Sequence, residues 1–120
     1  MRFIQEFGYT VKVGQDEAQQ QWLIKNGEAL AKSMPAGTRY IGHFAVVLST
    51  EKGAGSYRVL FELDSYGAMD KLAALTKDPT SEYGRLVRES TKFGDYDLAA
   101  PWSNTLLKDV IDASIWNPKT

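Results

Sequence analysis

Apolar and polar residues alternate along the first stretch of the chain. Phe3, Gln5, Phe7, Tyr9, Val11 and Val13 fall on one side of an extended backbone. Ile4, Glu6, Gly8, Thr10 and Lys12 fall on the other. A period of two carried by aromatic and β-branched residues predicts a strand over 2–13, its first face the greasier. Gly14 ends it, and Asp16 is placed to cap a helix. The period then lengthens. Ala18, Trp22, Leu23, Leu30, Ala31 and Met34 share one broad stripe of a helix over 16–34, with Glu17, Gln20, Lys25 and Lys32 facing water. Glycine inside a helix costs about 1 kcal/mol against alanine, so Gly27 marks a close packing contact or a kink. Pro35-Ala36-Gly37 stops the helix.

The stretch from Tyr40 to Asp64 organises the rest. Tyr40, Gly42, Phe44, Val46 and Leu48 alternate with Ile41, His43, Ala45 and Val47. After Glu51-Lys52-Gly53-Ala54-Gly55, Tyr57, Val59, Phe61 and Leu63 alternate with Arg58, Leu60, Glu62 and Asp64. Two β-rich runs around a glycine-containing break predict a hairpin. Ser65 is placed to cap a helix over about 66–77, with Met69, Leu72, Ala73 and Leu75 apolar. Asp78-Pro79 then breaks the helix and opens another piece that runs to about Phe93 and uses Tyr83, Leu86 and Val87. In 103–112, Leu106, Leu107, Val110 and Ile111 fit a helical stripe somewhat better than alternation. A strand is nevertheless preferred there, because the order β, α, β, β, split α, β completes a known arrangement. Its four-stranded antiparallel sheet carries helices on one face and leaves the other bare. A monomer rarely exposes so large a face without a use for it.

The 120 residues fit one domain over 1–120, long enough to bury a core without staples. The absence of cysteine excludes disulfides, thiolate metal sites and a cysteine nucleophile. A formal net charge of −1, with the signs interspersed, gives no basic footprint for nucleic acid. No segment approaches the roughly 20 apolar residues of a membrane span. The first residues lack the continuous apolar run of a signal peptide. With no address in the sequence, a cytoplasmic location is expected.

The element order, the hairpin, the Asp64-Ser65-Tyr66 lead into the second helix and the tail Trp102-Ser103-Asn104-Thr105-Leu106-Leu107 resemble the dimeric α+β-barrel superfamily. Its protomers are ferredoxin-like, and it includes antibiotic-biosynthesis monooxygenases, stress-responsive barrel proteins, small polyketide cyclases and NIPSNAP-like proteins. The resemblance covers nearly the whole chain. It implies an α+β fold, ferredoxin-like β-α-β-β-α-β with a split second helix, and a homodimer closed through the sheet face. It gives no reaction, because the superfamily spans enzymes, haem binders and many uncharacterised members.

Alternation places Phe3, Phe7 and Tyr9 under the helices. Glu6 then faces the other way, together with His43 on one hairpin strand and Arg58 and Glu62 on the other. Such a set offers acid–base and anion-orienting chemistry in an inter-sheet cavity. A structural reading asks less of the sequence: Arg58 pairs with Glu6 or Glu62 in a dimer interface, and His43 hydrogen-bonds to a neighbour. His43 is the only histidine and lies on a strand, so the helix-borne histidine of the superfamily's haem degraders has no counterpart here. No spacing indicates a metal site, and no cofactor is expected. Trp22, Tyr40, Tyr57, Tyr66 and Trp102 are candidate walls for a flat ligand, although such residues are core or interface in most small domains. Trp102 and Trp116 are most simply dimer contacts. Gly53-Ala54-Gly55-Ser56 leads into a strand rather than a helix, so it reads as a turn and not a phosphate loop. There is no Gly-x-Ser-x-Gly elbow. Arg85 and Arg88, beside Glu82 and Glu89, read as a solvated helix face.

Three functions follow. One is a homodimeric barrel protein that binds a small apolar or aromatic molecule in the sheet-lined cavity. Another is a cofactor-independent monooxygenase or polyketide-cyclase-like enzyme acting on an aromatic substrate. The third is a structural or partner-binding module that uses the same sheet to dock another chain.

Overall fold

A computed structural model describes residues 2–51, 53–97 and 100–111. The elements run β1 (Phe3–Val11), α1 (Asp16–Lys32), β2 (Thr38–Ala45), β3 (Tyr57–Leu63), α2 (Ala68–Lys77) and α3 (Glu82–Ser90). A single 3-10 turn (Thr91–Phe93), β4 (Gly94–Asp95) and β5 (Ser103–Lys108) follow. This is the β-α-β-β-α-β order, with the second helix split and the tail a strand. The helical stripe in the tail was misleading: Leu106 meets the helix-side core, while Leu107 lies on the other face and is half exposed. Trp116 lies outside the described residues.

The sheet is antiparallel, in the order β2-β3-β1, with β5 and β4 sharing the far edge of β1. β5 pairs with Phe3–Gly8, and the two-residue β4 continues the edge along Thr10 and Val11. Phe3, Phe61, Leu63 and Leu106 pack under the helices with Trp22, Leu30, Leu72, Tyr83 and Leu86. Phe3, Leu30, Leu63 and Leu86 are fully buried. Burial on this scale is the main driving force for the layer, because each large apolar side chain contributes about 1.5–3 kcal/mol.

The helix starts differ from those the sequence predicts. Asp16 is the first residue of α1 rather than its cap, and its carboxylate accepts from the Tyr57 hydroxyl at 2.5 Å. α2 begins after Gly67 with no side-chain cap, so Ser65 does not serve. Ser81, not Asp78, caps α3: its hydroxyl accepts from the backbone N–H of Gly84 at 3.0 Å. Asp78 instead holds a turn, accepting from the N–H and hydroxyl of Thr80. Arg85 pairs with Glu82 and Glu89, as a solvated helix face does.

Gly27 does not mark a close packing contact in α1. A methyl group built there meets nothing within 4 Å. Gly27→Ala is therefore expected to raise stability by about 1 kcal/mol, read as an increased urea midpoint with an unchanged slope.

Candidate functional site

A cavity of about 450 Å³ lies between the sheet and the α2–α3 pair. Its floor is the helix-facing side of the sheet: Gln5, Phe7 and Tyr9 of β1, His43 of β2, Val59 and Phe61 of β3, and Asn104 of β5. Its roof includes Met69, Leu72 and Ala73 of α2 and Tyr83 and Val87 of α3. Asp70, Ala73, Thr91 and Tyr96 line it while remaining exposed, so they form its mouth. The size and the largely apolar wall surface are those of a small-molecule pocket.

The polar groups inside are mostly tied to one another. Gln5 donates its side-chain amide to Asn104 Oδ1 at 3.1 Å. The Tyr9 hydroxyl donates to Gln19 Oε1 at 2.5 Å, and burial pushes the Tyr9 phenol well above its ordinary pKa. Tyr40 Oη lies 2.5 Å from His43 Nδ1. Burial lowers the His43 imidazole to about 4 and raises the Tyr40 phenol to about 12, the latter partly offset by a hydrogen bond with the His43 backbone. Near neutral pH both are uncharged. In the tautomer with the ring proton on Nε2, Tyr40 donates to Nδ1 and the imidazole keeps a donor of its own.

His43 sits on this side because of a β-bulge. Tyr40 pairs with Phe61, but Gly42 pairs with Leu60 and His43 with Val59. Ile41 is the extra residue, and every side chain after it changes face. Unbroken alternation would have put His43 opposite Arg58. The structure therefore separates His43 from Glu6, Arg58 and Glu62, which lie on the open face.

On that open face Arg58 is buried and makes four hydrogen bonds. Its Nε donates to Glu6 Oε1 at 3.0 Å. The two N–H groups of its Nη1 are shared among the carbonyls of Ala54, Gly55 and Tyr57 at 3.1, 2.8 and 2.9 Å. Arg58 thus clamps the β2–β3 loop down over β1, where Gly8 leaves the space. A methyl group at Gly8 would meet the Ala54 carbonyl at 2.3 Å. Glu62 instead accepts from Arg2 and Arg39, and the Arg39 hydrogen bond is the main reason its carboxyl titrates below the ordinary range. Ile4, Leu60, half-exposed Phe44 and half-exposed Leu107 lie among these charges.

The predicted aromatic walls are dispersed. Trp22 is buried against Phe93, and its indole donates to Glu89 at 3.4 Å. Tyr57 stacks on Tyr9 while bonding Asp16. Tyr66 is exposed, edge-on to Phe3. Trp102 is exposed and stacks on Phe7 at 6.5 Å, outside the cavity wall that Phe7 forms. Tyr40 reaches the cavity only through His43. Among the described residues, no group of three or more His, Asp or Glu side chains is disposed to hold a metal ion. Among them, too, no helix is long and apolar enough to cross a membrane.

No protein-family model matches the chain, and no curated protein sequence matches it. Its fold does match solved structures. A NIPSNAP-like domain protein from Burkholderia xenovorans superposes with a TM-score of 0.62 at 15% identity, over 99% of this chain and 95% of that one. A NIPSNAP family protein from Agrobacterium tumefaciens gives 0.63 at 12% identity, over 91% and 86%. A dimeric ferredoxin-like protein of unknown function from Jannaschia gives 0.62 at 13%, over 91% and 100%. The chain has the ferredoxin-like α+β fold of these proteins, in agreement with the resemblance read from its sequence. At these identities the likeness is one of fold.

Proposed function

We propose that this chain binds a small apolar or aromatic molecule in the cavity between its sheet and α2–α3, and does so as a homodimer joined through the open sheet face. The observation that carries the binding reading is the cavity itself: about 450 Å³, with a Phe7, Val59, Phe61, Leu72 and Val87 lining. Well-packed interiors leave few voids larger than a water molecule, so a space of this size is a feature to be filled. The dimer reading rests on the open face. Ile4, Leu60, Phe44 and Leu107 are apolar there, Arg2, Arg39 and Glu62 surround them, and a solved protein of this fold is dimeric. Glu6, Arg58 and Glu62 then serve the loop clamp and the interface, and His43 belongs to the pocket.

The two halves are tested separately. The neutral probe N-phenyl-1-naphthylamine is expected to brighten at one site per protomer, and Ala73→Trp, which narrows the mouth, to weaken it at least tenfold. Equal brightening in a folded Ala73→Trp protein would remove the cavity from consideration. Sedimentation equilibrium is expected to return a dimer that Leu107→Asp converts to monomer. A wild-type monomer at every concentration would remove the sheet-face interface.

A second reading draws on the Tyr40–His43 pair: a cofactor-independent monooxygenase or polyketide-cyclase-like enzyme acting on an aromatic substrate. An imidazole held near pKa 4 is a weak base. That reading therefore needs a substrate with a readily lost proton, and oxygen uptake distinguishes the monooxygenase from the cyclase.

A further inference from the structure

The cavity walls carry a charge asymmetry. Among the described residues that line it there is no lysine or arginine, and the one carboxylate, Asp70, stands at the mouth. The Arg88 guanidinium, outside the lining, donates to the backbone carbonyl of Thr76 at 2.8 Å. Several donors that a ligand anion could use are spent as well. The Tyr9 hydroxyl is given to Gln19, a Gln5 amide proton to Asn104, and the Thr76 hydroxyl to the Leu72 carbonyl. A carboxylate or sulfonate entering this space would lose its hydration with no cation to replace it, which is strongly unfavourable. It would also pass Asp70 on the way in. A neutral ring bearing a hydrogen-bond acceptor meets neither cost, and a ring bearing an amine gains from Asp70.

We infer, building on the cavity reading above, that this pocket selects uncharged or amine-bearing aromatic molecules and rejects aromatic acids, because its apolar walls lack a cation and its mouth carries Asp70. Aromatic carboxylates, sulfonates and phosphates are thereby excluded as its ligand class.

The test uses two probes with one skeleton at pH 7. N-phenyl-1-naphthylamine is neutral, and 1-anilinonaphthalene-8-sulfonate adds a sulfonate. Each is titrated against the wild-type protein and Asp70→Lys, with the signal that persists in Ala73→Trp subtracted as cavity-independent. The neutral probe is expected to bind at least tenfold more tightly, and Asp70→Lys to narrow that gap several-fold. Equal or tighter binding of the sulfonate by wild type overturns the charge rule and leaves the cavity reading standing. A gap unchanged in Asp70→Lys overturns the role given to Asp70, since the cation-free walls alone would then set the preference. Failure of the neutral probe to bind at all overturns the cavity reading and the charge rule together.

Discussion

Arg58→Met is expected to destabilise the fold by about 3 kcal/mol while leaving the pocket's preference among neutral ligands unchanged. Arg58 is only 8% exposed, and its guanidinium is the shared donor for one carboxylate and three backbone carbonyls. Methionine replaces much of its apolar stem but none of those bonds. Hydrogen bonds involving a charged partner contribute about 1.5–3 kcal/mol each, and breaking a buried ion pair from one side costs about 3–5. Glu6 is about one third exposed and regains water, which holds the loss toward the lower end. The carbonyls of Ala54 and Gly55 are harder to rehydrate, because the loop lies on Gly8 and Ala54 is itself buried. Glu6→Gln keeps the three carbonyl anchors and is expected to cost about 1 kcal/mol. Urea unfolding of the two variants gives the ranking. If Arg58→Met matched wild-type stability but abolished probe binding, Arg58 would be a ligand group rather than a clamp.

The face that each strand residue takes was legible wherever alternation runs unbroken. Phe3, Phe7 and Tyr9 under the helices, and Glu6 opposite them with Arg58 and Glu62, follow from period two alone. The tail strand β5 was legible only globally, from the need to complete a sheet, since its own residues favour a helical stripe. His43 was misplaced because a bulge adds one residue and inverts all that follows. The signal was present in Gly42, as an isolated glycine inside a strand often marks such a site. The cavity roof was not legible. Met69, Ala73 and Val87 read as ordinary core positions, and how far α2 and α3 stand off the sheet depends on packing that no local pattern encodes. The aromatic candidates were chosen by residue type, yet Trp22 and Tyr57 found partners in Glu89 and Asp16 instead.

The bulge also gives the fold a pH dependence with an isolated cause. The chain has one histidine and no cysteine. Between about pH 6.5 and 4.5 the folded protein therefore differs from the unfolded one chiefly in the protonation of His43. Burial lowers its pKa from 6.5 to about 4, so the unfolded chain takes up a proton that the folded chain refuses. Stability is fully present above the unfolded value and falls as pH drops toward the folded one. A single refused proton gives a slope of at most about 1.4 kcal/mol per pH unit, and the fall over this window is about 2 kcal/mol. The paired carboxylates act in a different window. Glu62, Asp78 and Glu82 all titrate below their ordinary values, so their contributions persist until pH falls below about 4.5. The groups around His43 do not confuse the reading: Tyr40 and Tyr9 stay protonated throughout, and Asp16, across the neighbouring groove, is engaged by Tyr57. Urea midpoints measured from pH 7 to 4.5 are expected to fall steadily in the wild type and to stay level down to about pH 5 in His43→Asn. A wild-type profile that stays level would place the imidazole in water, on the face that unbroken alternation assigns it, and would remove both the bulge and the polar edge of the cavity.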